Sequence, residues 1–354
     1  MTRPMASPLG ALAEARPDGP DSMGVEIAEG PDAVVATVSA VEGLQPQIAP
    51  MLEGAARIVL VGTGASLAVA RIAAPILRRT GSLDVPVVVR QATEIALGDL
   101  DGWDLEPGDL VVAISQSGAS PETLAAAQLA RAAGASVLAL TAHPDSALAS
   151  AATRTVPLAS GPERGAATKS ALASLAALLA IGGAVGRGAV GAAGQTSKLD
   201  GVSAWRQATE TAPWLADARH TWFLGFGFAE GLASAAALLW HEKVIRPATA
   251  ATPSEFRHGL IEAVDSRDAA ALITAFQLAE GAERYLDRLR GELGELGVET
   301  IDLRAEARET GTAAIELLFR LQHLARATAL ASGTYREEFA ILRRVVKPAN
   351  DLTI

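Results

Sequence analysis

Short unbroken apolar runs alternate along this chain with longer stretches of helical period. Residues 57–60, 87–89, 110–114, 137–141 and 153–158 read as buried strands. Between and after them, residues 67–77, 121–133 and 169–181 read as helices. The helix at 121 carries both end signals. Ser120 stands at the N-cap, Pro121 at the first helical position, Glu122 in the first turn and Gly134 just past the end. Short strands without polar alternation, separated by helices, predict a parallel sheet covered on both faces.

The pattern then repeats. The strand at 57–60 enters Gly62-Thr63-Gly64-Ala65-Ser66 and a helix; a second strand at 221–224 enters Gly225-Phe226-Gly227 and a helix at 231–240. A strand at 269–274, a helix at 278–292, a strand at 299–303 and a helix at 316–331 follow, with a further helix at 205–214 leading in. A strand, a Gly-x-Gly turn and a helix at matching places predict a duplication. The Gly-, Ser- and Gln-rich stretch 191–200 is the linker. Residues 1–22 carry Pro4, Pro8, Pro17 and Pro20 with little periodicity and read as disordered, with Met23 an alternative start. The expected organisation is an extension at 1–25, a first domain at 26–195 and a second at 196–354.

Composition narrows the chemistry. The 354 residues carry a net charge of −10 and contain no cysteine. The acidic balance argues against nucleic acid as partner. The absence of cysteine removes disulfides, thiolate metal sites and a cysteine nucleophile, and fits a cytoplasmic protein. The apolar stretch 171–185 is shorter than the ~20 residues a membrane span needs. No metal and no cofactor is expected.

The chemistry concentrates first in Ser115-Gln116-Ser117-Gly118-Ala119-Ser120, between a buried strand and a helix start. Parallel sheets place ligands at the carboxyl ends of strands. Hydroxyls and free helix N–H groups there suit an anion such as phosphate without a basic residue. A plain cap role explains Ser120 but neither Gln116 nor the pair Ser115 and Ser117. Ser66, in the first Gly-x-Gly turn, ends a strand that can neighbour this one. The turn at 62–67 has Leu67 at the third glycine place of a dinucleotide fingerprint, and no lysine-bearing phosphate loop is present, so nucleotide is not expected.

The second half supplies titratable groups: Glu242 after the apolar helix, Glu255 and His258 in Ser254-Glu255-Phe256-Arg257-His258-Gly259, and Lys347 near the end. A carboxylate, a group titrating near neutrality and an amine suit aldose–ketose chemistry. Spacing alone equally describes a helix-end acid, a local Glu–His pair and a surface lysine.

Taken in order, these segments resemble the sugar isomerase (SIS) domain family in its double-domain form, as in the isomerase half of glucosamine-6-phosphate synthase and the related amino-sugar-phosphate deaminases and isomerases. The motifs are Gly62–Ser66, Ser115–Thr123, Gly161-Pro162-Glu163 with Ala166-Ala167-Thr168-Lys169, Gly225-Phe226-Gly227 and Glu255–Gly259. The resemblance implies two flavodoxin-like three-layer α/β/α domains in tandem, and a homodimer with shared active sites. It implies a hexose or hexosamine 6-phosphate held by Ser66, Ser115, Gln116, Ser117 and Ser120, with Gly165 and Ala167 lining the sugar pocket. It implies that Glu242 shuttles the C1–C2 proton, that His258 opens the ring in the neighbouring subunit, and that Lys347 is the tail lysine. Ala167, Leu239 and Leu260 depart from the synthase pattern, which has serine, lysine and proline at those places. No cysteine for releasing ammonia from glutamine is present. The expected activity is amino-sugar-phosphate isomerisation with loss of ammonia. Simple aldose–ketose isomerisation, deglycation of a sugar-amine phosphate and sensing without catalysis stand as alternatives.

Overall fold

The computed structural model describes residues 12, 14–80, 83, 85–98, 104–186 and 199–342. Helix α1 is Ser22–Ala28. The described chain divides into two compact units. One holds residues 29–163, 169–186 and 339–342; the other holds residues 199–338 together with those up to 28 and with 164–168.

The first unit is a five-stranded parallel sheet of β1 (Arg57–Gly62), β2 (Val87–Gln91), β3 (Asp109–Ile114), β4 (Ser136–Thr141) and β5 (Arg154–Pro157), in the order β2-β1-β3-β4-β5. This is the flavodoxin-like order. Its helices are α2 (Gly30–Glu53), α3 (Gly64–Thr80), α4 (Ala92–Ala96), α5 (Pro121–Ala132), α6 (Ala147–Ala151) and α7 (Lys169–Ile181). Alternate residues of a strand face opposite sides. Val59 and Val61 of β1, with Val111 and Ala113 of β3, pack against α4, α5 and α6. Helix α3 packs on β1, β2 and α7, and α7 in turn on α2. Every residue of α7 is buried, which explains a helix of Ala, Leu and Ser with almost no polar face. The covered parallel sheet is therefore as expected. Helix α2 is an addition: Pro46 and Pro50 lie inside it and interrupt the sequence signal of helicity.

The second unit repeats the arrangement with four parallel strands. These are β6 (Thr221–Gly225), β7 (Ala248–Ala251), β8 (Ala269–Thr274) and β9 (Glu299–Arg304), in the order β7-β6-β8-β9. Helices α8 (Gly201–Asp217), α9 (Phe228–Leu239), α10 (Pro253–Arg257), α11 (Glu280–Glu295) and α12 (Thr310–Ala331) accompany them. Trp222, Leu224, Ala270 and Leu272 face Phe256 of α10 and Leu286, Leu289 and Leu293 of α11. The order matches β2-β1-β3-β4, with no counterpart of β5 among the described residues. The repeat extends to small features. β2 and β7 each lead into a five-residue helix with a capping box, Gln91 with Glu94 and Thr252 with Glu255.

Residues 14–28 differ from the expected disordered extension. Met23 is buried in α1, and Asp21 binds the guanidinium of Arg326 in α12, 2.6 Å at the closest. Arg326 is fully buried; it also donates to the carbonyls of Arg16 and Pro17 and lies over the Trp205 ring. Gly24 has no room for a side chain, since a Cβ there would come within 2.5 Å of Arg326 Cζ. The proline-rich composition hides this because the order comes from one buried charge collecting acceptors, not from periodicity. Most of the linker expected at 191–200 lies outside the described residues; Asp200 is the N-cap of α8, accepting from Val202 N and Ser203 N.

Candidate functional site

β1 and β3 are hydrogen-bonded parallel neighbours, and the order in which strands are added reverses between them. Their carboxyl ends therefore bring Gly62–Ser66 and Ser115–Ser120 to one edge, the place where open α/β sheets bind ligands. Gly62 allows the following helix to start close: a Cβ there would come within 2.8 Å of Ser66 Cβ.

The serine turn is held by its backbone. Gln116 O accepts from Ala142 N and Thr141 Oγ1, Gly118 O from Leu148 N, and Ser115 O from Gly118 N. Gly118 has φ +61°, and a Cβ there would lie 2.1 Å from Ser146 Oγ. The side chains point elsewhere. Ser115 Oγ and Ser120 Oγ are 3.1 Å apart, and Ser117 Oγ accepts from Ala119 N. Ser120 occupies the N-cap of α5 but makes no side-chain cap bond. Its hydroxyl faces Ser115 and not the helix, so capping does not explain it. Ser115 is buried, Ser66, Gln116 and Ser120 are half-buried, and Ser117 is exposed.

The matching edge of the second sheet is built differently. After β6 stands Gly225-Phe226-Gly227, and after β8 stand Ala275 and Phe276. Phe226 meets Tyr285 edge-on, and Arg308 stacks over Phe276. Aromatic rings replace hydroxyls there.

Glu242 sits in the second unit on a feature the sequence pattern does not show. Helix α9 ends at Leu239 and runs into a π-helical turn, Trp240–Val244. The turn closes on Ile245 at φ 55° and ψ 42°, a left-handed conformation that a β-branched residue adopts only at a cost. Its neighbours pin it from all sides. Trp240 Nε1 donates to Thr221 Oγ1, His241 Nε2 accepts from Ala248 N, and Val244 O accepts from Thr334 Oγ1. Lys243 is buried and donates to Arg336 O at 2.8 Å. Glu242, half-buried, is the acid this turn presents. Single-turn π insertions and over-determined backbone cluster at functional sites. The sequence signal that could have found this turn is its unusual run of Trp, His, Glu and Lys directly after an alanine-rich helix.

His258 is the exposed C-cap residue of α10. Glu255 is not its partner. Glu255 Oε2 accepts from Thr252 N and Thr252 Oγ1, and these bonds hold its carboxyl below the usual range. Gly165 and Ala167 lie on the 164–168 segment, which belongs with the second unit. Glu26 Oε1 accepts from Arg164 N, and Gln322 Nε2 donates to Thr168 O. Lys347 lies outside the described residues. Each unit thus assembles its own part: the serines in the first, and Gly165, Ala167, Glu242 and His258 in the second.

Among the described residues no cluster of acids and histidines could hold a metal, and no helix is long and apolar enough to cross a membrane. A groove in the second unit, between α8 and α12, is lined by Gln207, Glu316 and Arg320. Two of its charges are engaged within the fold: Glu316 accepts from the backbone of Glu306 and Ala307, and Arg320 donates to Arg304 O.

An open parallel sheet with a hydroxyl-lined turn at its switch point defines a doubly wound α/β domain. Residues 51–182 match the SIS domain family, and the chain is homologous to the isomerase part of the aminotransferases described next. It is 33% identical over 264 residues to the glutamine–fructose-6-phosphate aminotransferase (isomerizing) of Aeropyrum pernix, covering 70% of this chain and 42% of that protein. Its fold resembles the C-terminal domain of glucosamine-fructose-6-phosphate aminotransferase from Francisella tularensis, with TM-score 0.77, 22% identity, and 92% and 100% of the two chains covered. It also resembles the tagatose-6-phosphate ketose/aldose isomerase of Escherichia coli, with TM-score 0.75, 22% identity, and 90% and 95% covered. The chain spans less than half the length of the aminotransferases it matches.

Proposed function

We propose that this chain is a phosphosugar isomerase that takes a hexosamine 6-phosphate to a ketose 6-phosphate and ammonia. The observation that carries the reading is the serine turn, whose Ser120 hydroxyl is turned toward Ser115 at the β1/β3 edge while its helix goes without a side-chain cap. Hydroxyls and the α5 N-terminus hold the phosphate dianion without a buried cation, in keeping with the acidic chain.

Glu242 is the proton carrier. His258, exposed on its own unit, serves a second copy of the chain and moves the anomeric proton to open the ring. Glu242 then takes the C2 proton of the open-chain aldehyde and returns it to C1. The aldehyde becomes an alcohol and C2 becomes an imine. Water adds to C2, the nitrogen takes a proton, and ammonia leaves a C2 carbonyl. Lys347 holds or condenses with the open carbonyl. Gly165 and Ala167 line the sugar.

The test is ammonia and ketose formation from glucosamine 6-phosphate and its stereoisomers. Equal ammonia release by a Glu242→Gln variant, or none from the native protein, overturns the reading. Leu239, standing where the synthase pattern has lysine, favours a second outcome: ketose formation from an aldose 6-phosphate without ammonia. Product analysis separates the two.

A further inference from the structure

Two segments of the second unit converge on Lys243. Its Nζ donates to Arg336 O at 2.8 Å and Glu337 O at 3.4 Å, and lies 5.2 Å from the centre of the Tyr335 ring. Gly165, at φ +76°, presses on the same group: a Cβ there would sit 2.8 Å from Lys243 Nζ and 3.0 Å from Glu337 O. Lys243 itself is the residue after Glu242 on the π-helical turn.

We propose that Lys243 is a positioning residue for Glu242, joining the acid's turn to the Gly165 segment and to the backbone of Arg336 and Glu337. The inference rests on the reading of Glu242 as proton carrier. A methionine would fill the same space without burying a charge, so filling does not explain a lysine that is 2% exposed. Burial pushes the ammonium below its ordinary value, and the carboxylates of Glu337, Glu26, Glu242 and Asp21 oppose that.

Helix α1 secures the same cluster from outside. Glu337 Oε2 accepts from Ser22 N at 3.1 Å and from Ser22 Oγ, and Glu26 Oε1 accepts from Arg164 N at 2.5 Å. The two segments that Lys243 touches are thus each tied to α1. Lys243 is the inner contact and α1 the outer one. A shift of either segment moves the turn that carries Glu242, and a misplacement of a reacting group by about 1 Å costs on the order of 10²-fold in rate.

The experiment compares native protein with Lys243→Met and Lys243→Arg, by sugar-phosphate turnover and by amide hydrogen exchange. Lys243→Met is expected to lower kcat on the order of 10²-fold with KM nearly unchanged, because the phosphate-holding serines are untouched. It also removes a cation beside Glu242, so the acid limb of the kcat–pH profile moves to higher pH. Amides around 335–338 exchange faster. Lys243→Arg, which keeps charge and donors, restores part of kcat and also carries the test if the methionine variant does not fold. An unchanged kcat and pH limb, or a loss confined to KM, overturns the proposal. If the native protein turns over no sugar phosphate, the proposed function fails separately. Exchange then decides the tie alone: unchanged protection at 335–338 shows that Lys243 does not hold the segment and overturns the proposal on its own ground, and faster exchange shows that it does.

Discussion

Ser115 Oγ lies 3.1 Å from Ser120 Oγ, across a turn whose glycine at 118 admits no Cβ. The two hydroxyls belong to the end of β3 and the start of α5, so strand and helix jointly aim them. A phosphate accepting from both replaces a hydroxyl–hydroxyl contact with two charge-assisted ones. Ser115→Ala and Ser120→Ala are each expected to weaken hexose 6-phosphate binding by about 1.5–3 kcal/mol, measured by calorimetry. A cap role for Ser120 predicts instead a loss of about 1 kcal/mol in stability with binding intact.

Gly118→Ala tests the turn itself. The added methyl meets Ser146 Oγ at 2.1 Å and Thr141 Oγ1 at 2.8 Å, at a φ of +61°. Overpacking of this kind costs about 1–3 kcal/mol. The expected outcome is a lower thermal midpoint together with weakened phosphosugar binding, and an unaltered midpoint would show that the turn relaxes freely.

The π-helical turn stores strain at Ile245. Asparagine tolerates the left-handed region, and Ile245 is 47% exposed, so little packing is lost. Ile245→Asn is expected to raise stability by about 1 kcal/mol in urea unfolding. Equal or lower stability would mean that the surrounding bonds, and not the residue, carry the cost.

His323 is fully enclosed by Trp205, Phe319 and Arg326. Burial, helped by the Arg326 charge, pushes its imidazole down to about 3. The unfolded chain binds this proton near pH 6.5 and the folded chain does not. Its contribution to stability is complete above pH ~6.5 and falls by about 1.4 kcal/mol per pH unit on acidification until pH ~3. His323→Phe should flatten that slope in denaturant titrations between pH 6.5 and 4.

Asp21 and Arg326 stand 305 residues apart and share bonds of 2.6–3.0 Å. Burial pushes the Asp21 carboxyl up, but the bonds and charge of Arg326 outweigh it and hold it below the usual carboxylate range. The pair therefore stabilises the fold above pH ~4 and is lost as pH falls through the depressed value. Asp21→Asn leaves a buried guanidinium short of its counter-charge and is expected to cost about 3–5 kcal/mol in urea unfolding. A cost under ~1 kcal/mol would show that the backbone carbonyls suffice.

The strands at 57–62, 109–114, 136–141, 221–225 and 269–274 were legible because a strand covered on both faces must be apolar throughout, and apolar runs need no partner to be read. The serine turn was legible because chain order alone puts a strand end against a helix start. Other features were not. Strand β7, Ala-Thr-Ala-Ala, has no apolar signature of its own and exists through pairing with β6. Helix α2 carries two prolines that local rules count against it, and burial outweighs them.

What the sequence determined by itself was the repeated strand, turn and helix, and the presence of hydroxyls in one copy only, since both follow from local pattern. What tertiary structure decided was the use of particular side chains. Glu255 became a cap because Thr252 stands three residues before it on a short helix. Ser120 did not become one because Ser115 faces it. Lys243 and Arg326 are buried because carbonyls and carboxylates from residues far along the chain meet them there. A charge can be enclosed only when such partners arrive together, and local sequence does not record which distant residues will arrive.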